Sequence, residues 1–172
     1  MAVAFTLSGC GSLSFIGRSQ AQDIAEMNVT SPELREGKPL PNEYSCKGGQ
    51  GSPPLRWSRQ PLSEAKSIAI VVDSHTSSES AVHWVLYDIP ATTTELGPNA
   101  TADPPAGSGQ ATVTSGKAGY EPPCQNQASY RFTVYTLKGK VGLKGTSALP
   151  EVLKKIAEQT IARGRLTAVN IE

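Results

Sequence analysis

Several residue types that most function classes depend on are scarce in this sequence. Only two histidines, His75 and His83, and three cysteines occur in 172 residues. No Cys-x-x-Cys or His-x-x-His spacing is present, which argues against a zinc site. Positive and negative charge nearly cancel, leaving a formal net charge of +1, and no basic run is interleaved with aromatics. The chain therefore offers nucleic acid neither a field nor a stacking platform. No apolar stretch is long enough to span a bilayer. There is no Gly-x-Ser-x-Gly elbow, and the glycine cluster at 48–51 lacks the Gly-Lys-Ser/Thr ending of a phosphate loop. No cofactor is implied.

What is plentiful is turn chemistry. With 16 glycines, 13 prolines and 38% apolar residues, the chain reads as one mostly β (α+β) domain with many short elements. Its organising stretch is 67–90. Two short apolar runs rich in Val and Ile, 68–72 and 82–89, read as strands. The first ends on Asp73-Ser74-His75, and the second carries His83. If these strands are neighbours, Asp73 and both imidazoles meet at one sheet end and form a candidate chemical site. The bland alternative for His83 is a buried ring bonded to a backbone carbonyl.

The remaining segments follow in order. Leu7-Ser8-Gly9-Cys10 looks like a lipobox, with small residues before the cysteine that would be cut and lipidated, although no Lys or Arg precedes the apolar run. Residues 1–23 then read as a signal and lipobox remnant with a tether, and residues 24–172 as the domain. A lipid on Cys10 would anchor the chain to the membrane of the cell envelope; the alternative is a periplasmic or secreted protein. Residues 43–46 suggest a short strand, 52–57 an extended proline segment, 91–96 a single helical turn and 97–116 a long loop. Alternation over 130–137 predicts a strand with Tyr130, Phe132, Val134 and Thr136 on one face. Helical spacing over 150–163, with Pro150 in the first turn and Gly164 as the stop, predicts a helix, and 166–171 a last strand. If Cys10 carries lipid, Cys46 and Cys124 remain as a disulfide candidate in an oxidising compartment, provided their Cα atoms come within about 7 Å.

The motifs Tyr44-Ser45-Cys46-Lys47-Gly48, Ser52-Pro53-Pro54-Leu55-Arg56-Trp57, Val82-His83-Trp84-Val85-Leu86-Tyr87-Asp88-Ile89-Pro90, Gly119-Tyr120-Glu121-Pro122-Pro123-Cys124 and Phe132-Thr133-Val134-Tyr135-Thr136-Leu137 resemble, in order and spacing, the bacterial Raf-kinase-inhibitor-like branch of the phosphatidylethanolamine-binding proteins. The resemblance covers roughly 29–168. It implies a large antiparallel sheet packed on a smaller one, with helices near the C-terminus and a small anion pocket at one sheet end. Carried over, it assigns Asp73 to the first carboxylate of an Asp-Pro-Asp segment, His83 to the strand histidine, Gly119, Tyr120, Pro122 and Pro123 to the turn, and Tyr130 to the last wall. Ser74 and His75 stand where Pro and the second Asp are usual, Ala128 and Ser129 where His-Arg is usual, and Ala81 where Trp is common.

A histidine beside Asp73 would tend to be held protonated, which suits an anion. The expected function is a non-enzymatic lipoprotein that holds a phosphate-bearing small molecule or phospholipid headgroup at Asp73, His75 and His83. The alternative is a protein-interaction module or kinase or protease inhibitor that works through loop 97–116, with a vestigial pocket. A hydrolase using Asp73 and His83 as an acid–base pair lacks any marked nucleophile.

Overall fold

The computed structural model describes residues 23–61, 63–144 and 147–172; the lipobox, Cys10 and the tether up to residue 22 lie outside them. The elements are β1 (Ala25–Glu26), β2 (Asn28–Thr30), β3 (Leu55–Ser58), β4 (Ser67–His75), β5 (Ser80–Pro90), β6 (Glu95–Leu96), β7 (Gly109–Gln110), β8 (Ser129–Leu137), α1 (Leu149–Gln159) and β9 (Thr160–Val169). Six strands form a large sheet in the order β1-β9-β8-β4-β5-β7, and three form a small sheet in the order β2-β3-β6. The large sheet is antiparallel except at its edge, where β1 runs parallel to β9.

Alternation along β4 sets the layers. Ile68, Ile70 and Val72 face Leu55 and Trp57 of the small sheet in the main core. Ala69 and Val71 face the other way, onto Val152 and Ile156 of α1. Both faces of the central strand are therefore covered, which explains its nearly continuous apolar run. The expected split of β8 also holds: Tyr130, Phe132 and Val134 lie in the main core. Residues 97–116, read as a loop, are tied to the sheet through β7, which pairs with β5 at Tyr87 and Leu86.

Three local expectations are corrected. Residues 91–96 form no helical turn, and Glu95–Leu96 is β6 of the small sheet. Residues 43–46 do not form a strand; Asn42–Tyr44 is a single 3-10 turn. The helix ends at Gln159 rather than near Arg163, and Gly164 lies inside β9, not at a helix stop. The β-branched pair Thr160-Ile161 favours the strand. Gly164 is needed there because a Cβ would lie 2.4 Å from the Met27 carbonyl oxygen. One helix, not several, precedes the chain's end among the described residues.

Candidate functional site

Strands β4 and β5 are antiparallel neighbours, as the sequence suggested, but their register divides the expected site. Asp73 pairs with Val82 while Val72 pairs with Trp84, so His83 is the extra residue of a bulge. A bulge lets two consecutive side chains share a face. Trp84 points into the main core with Val72, and His83 turns the same way, its Nε2 lying 2.8 Å from Oγ of Ser74. Ser74 follows Val72 by two residues and is buried, at 2% exposure. Asp73, one residue away, belongs to the opposite face.

On that opposite face Asp73 lines an apolar notch with Val71, Val82 and Ile156. Its carboxylate accepts from Nε of Arg131, its register partner on β8, in a half-buried ion pair. His75 shares this face, is exposed, and its Nδ1 lies 2.7 Å from Oγ of Ser80. The expected cluster of Asp73, His75 and His83 is thus not formed. Two of the three sit behind the sheet, so Asp73 cannot hold His83 protonated by direct contact and cannot serve it as an acid–base partner. The residue beside the imidazole is Ser74, which the resemblance sets at the position of the usual proline and gives no binding role. Strand parity contained the signal: 74 shares its parity with the core residues 68, 70 and 72, whereas 73 and 75 do not.

The turn residues do gather around His83. Glu121 clamps it by its backbone, donating N–H to the His83 carbonyl at 2.8 Å and offering its own carbonyl to Nδ1 at 3.1 Å. A carbonyl only accepts, so Nδ1 carries the proton and the Ser74 hydroxyl donates to Nε2. Both ring nitrogens of a neutral imidazole are then satisfied. Burial lowers the His83 pKa below its ordinary value, outweighing the opposing pull of the Glu121 carbonyl and of the Asp73 and Glu121 charges. Tyr130, fully buried, meets the imidazole at a steep angle, its ring plane 67° from that of His83 and the centroids 6.2 Å apart, and its hydroxyl donates to the Gln125 carbonyl. Burial raises the pKa of both Tyr130 and Tyr120, so both stay protonated donors.

Gly119 and Tyr120 shape the loop. Gly119 has φ +91°, and a Cβ there would lie 2.9 Å from Oγ1 of Thr101. That hydroxyl accepts the Tyr120 N–H, and the Tyr120 hydroxyl reaches the Tyr44 carbonyl at 2.8 Å. Pro122 and Pro123 carry the chain on to Cys124, which is joined to Cys46 in a disulfide with Cα atoms 5.3 Å apart. The Cys46 N–H also donates to the Pro123 carbonyl at 2.9 Å. The turn that fixes the imidazole is thereby stapled to the segment after Tyr44. Ala128 is buried on the Tyr130 face, and an open cleft of about 400 Å³ runs past it and His75. Among the described residues, no group of three or more His, Cys, Asp or Glu side chains is arranged to hold a metal ion. No helix of the described residues is long and apolar enough to cross a membrane.

The fold and this site define a two-sheet β protein with one histidine set at a sheet end by a disulfide-stapled Gly-Tyr-Glu-Pro-Pro-Cys turn. The chain belongs to the phosphatidylethanolamine-binding protein family, whose profile matches residues 30–171. Its fold superposes on Escherichia coli YbcL, described as a member of the mammalian family, with a TM-score of 0.78 and 30% identity over 86% of this chain and 99% of that one. The Chlamydia trachomatis homologue CT736 gives a TM-score of 0.74 at 28% identity, over 86% and 98%. In sequence, the chain is 31% identical over 146 residues to LppC of Mycobacterium tuberculosis, a protein named as a candidate lipoprotein, covering 81% of this chain and 70% of LppC. It is also 31% identical over 145 residues to a UPF0098 protein of Methanothermobacter thermautotrophicus, covering 81% and 95%.

Proposed function

We propose that this chain is a non-enzymatic ligand-binding protein of the cell envelope, held to the membrane by a lipid on Cys10. Its ligand is a small phosphate-bearing molecule or lipid headgroup that meets the protein at the His83 end of the large sheet. The observation that carries this reading is His83 itself: a half-buried imidazole held in one tautomer by Ser74 and Glu121, against a turn that the disulfide fixes. A preset polar group at a sheet end that can take up a proton is suited to an anion. Membership of a family named for a phospholipid supports the ligand class. The lipoprotein name of LppC supports the anchor.

Titration with inorganic phosphate, followed by the His83 ring resonances, tests the binding. The ring should shift towards the imidazolium position at millimolar phosphate and more readily at pH 5.5 than at 7.5. Unmoved resonances would sink the proposal. Labelled-palmitate incorporation in a bacterial host, lost in Cys10→Ser, tests the anchor.

A second reading, protein interaction through 97–116, draws on a cleft of about 450 Å³ lined by Pro98, Pro104 and Pro105. A partner interaction that survives His83→Ala but is lost when Asp103 and Ala106 are changed would favour it.

A further inference from the structure

We infer that the His83 site takes an anion that carries no ammonium group, and that Ser74 is the residue that sets this preference. The inference rests on the ligand-binding reading and narrows its ligand class. It begins with where the nearby carboxylates go. Asp73 faces the other side of the sheet and is paired with Arg131. Glu121 sends only its backbone to the imidazole, while its carboxylate binds Nζ of Lys117 at 3.1 Å. Glu79 accepts from Nε2 of Gln125 at 3.2 Å. No carboxylate among the described residues hydrogen-bonds to His83; Asp73 and Glu121 act on it only through their charge, each while paired with a cation. Tyr130 and Trp84 are fully buried, so their ring faces are closed to a cation, and Tyr120 is partly buried against the main core. An ammonium group arriving here would be desolvated with no unpaired carboxylate in contact with it, which is costly.

Ser74 suits the opposite charge because a hydroxyl can reverse its role. At rest its proton goes to Nε2 of His83. When an anion brings a proton to the ring, Nε2–H becomes a donor, and the Ser74 hydroxyl is released to donate to the anion. The imidazolium Nε2–H donates to the Ser74 oxygen, and the Ser74 hydroxyl passes that charge on as the donor to the anion. A carboxylate at 74 could make no such switch, since it only accepts; it would repel the anion and hold the amine instead. The ligand chemistry is therefore a phosphate group without an adjacent amine, whether free or at the end of a lipid.

The test is titration of the full chain and of its Ser74→Asp and Ser74→Ala variants at pH 6. The ligands are sn-glycerol 3-phosphate, phosphoethanolamine and dihexanoyl phosphatidic acid, read by His83 resonances and calorimetry. The wild type should bind glycerol phosphate at least as tightly as phosphoethanolamine. Ser74→Ala should weaken glycerol phosphate by about tenfold, as expected for one charge-assisted hydrogen bond. Ser74→Asp should weaken it further and reverse the preference. Tighter binding of the short-chain lipid than of glycerol phosphate would support a lipid source, and the reverse a free one; either supports the anion assignment. A wild-type preference of tenfold or more for phosphoethanolamine overturns the inference while leaving ligand binding intact, as does an unchanged affinity in Ser74→Ala. Silence from all three ligands overturns the binding reading and the inference together.

Discussion

Asp73 and Ser74 are neighbours in the chain but work on opposite faces of the large sheet. Ser74 meets the imidazole of His83 on the main-core side, and Asp73 meets Arg131 on the helix side. One residue step separates a side chain that contacts His83 from one in an ion pair on the other face, because side chains on a strand alternate.

Asp73→Asn should therefore act chiefly on stability. The pair is partly buried, with side-chain exposures of 22% for Asp73 and 32% for Arg131. Removing one charge leaves the other half-desolvated, at a cost of about 1–2 kcal/mol, between the values for exposed and buried pairs. Chemical denaturation should show that loss, while phosphate still shifts the His83 ring, slightly less readily because a charge that raises its pKa is gone. A variant of normal stability in which phosphate no longer moves the ring would place Asp73 at the site after all.

His83 predicts the direction of pH dependence. Its pKa in the folded protein lies below the unfolded value of about 6.5, chiefly through burial. Below pH 6.5 the unfolded chain takes up a proton that the folded site resists, so stability rises with pH across this window and falls on acidification. The slope from one such group is at most about 1.4 kcal/mol per pH unit. Melting temperatures from pH 7.5 down to 5 should decline more steeply in the wild type than in His83→Gln. Saturating phosphate should flatten the wild-type curve, because bound anion favours the protonated ring.

Much of this architecture is legible in the sequence. The runs 68–72 and 82–89 announced β4 and β5 because buried strands are short, continuous and β-branched, and the turn Gly119-Tyr120-Glu121-Pro122-Pro123-Cys124 could be placed by its rigid residues. That Asp73 and His75 lie on a different face from His83 is not legible there, for a specific reason. Nearness in sequence to a strand end says nothing about face, and the bulge that turns His83 towards Ser74 is a register event between two strands. Only pairing reveals it. The misplaced helix end has a similar origin, since Gly164 reads as a stop locally but is required by the approach of the Met27 carbonyl, which is distant in sequence.

That approach gives a third prediction. In Gly164→Ala the new methyl group would meet the Met27 carbonyl oxygen at 2.4 Å and a methyl of Val29 at 2.8 Å. Backbone cannot move aside as a side-chain tip can, so β9 and the segment joining β1 to β2 must separate. A loss of about 2 kcal/mol or more is expected, seen as a lower urea midpoint. Because this contact lies away from His83, the ring resonances should stay where they are in the folded variant.

The disulfide gives the last prediction, and it joins stability to the site. Cys46 and Cys124 are 78 residues apart in sequence, and opening a loop of that size removes roughly 2–4 kcal/mol of stability. For a domain of this length the melting temperature should fall by roughly 5–15 °C. The comparison is best made in a Cys10→Ser background, so that no third thiol exchanges with the pair. The paired variant Cys46→Ser with Cys124→Ser should reproduce the effect of reductant. Cys124 directly follows Pro123, whose carbonyl bonds to the Cys46 N–H, and Glu121 two residues earlier fixes Nδ1 of His83. Loosening the staple should therefore also disturb the imidazole. The His83 ring resonances should broaden or shift at a temperature where the reduced protein is still folded, and phosphate affinity should fall with them. If reduction lowers the melting temperature but leaves the ring untouched, the disulfide stabilises the fold alone, and the turn around Glu121 holds its shape through Thr101 and Tyr44.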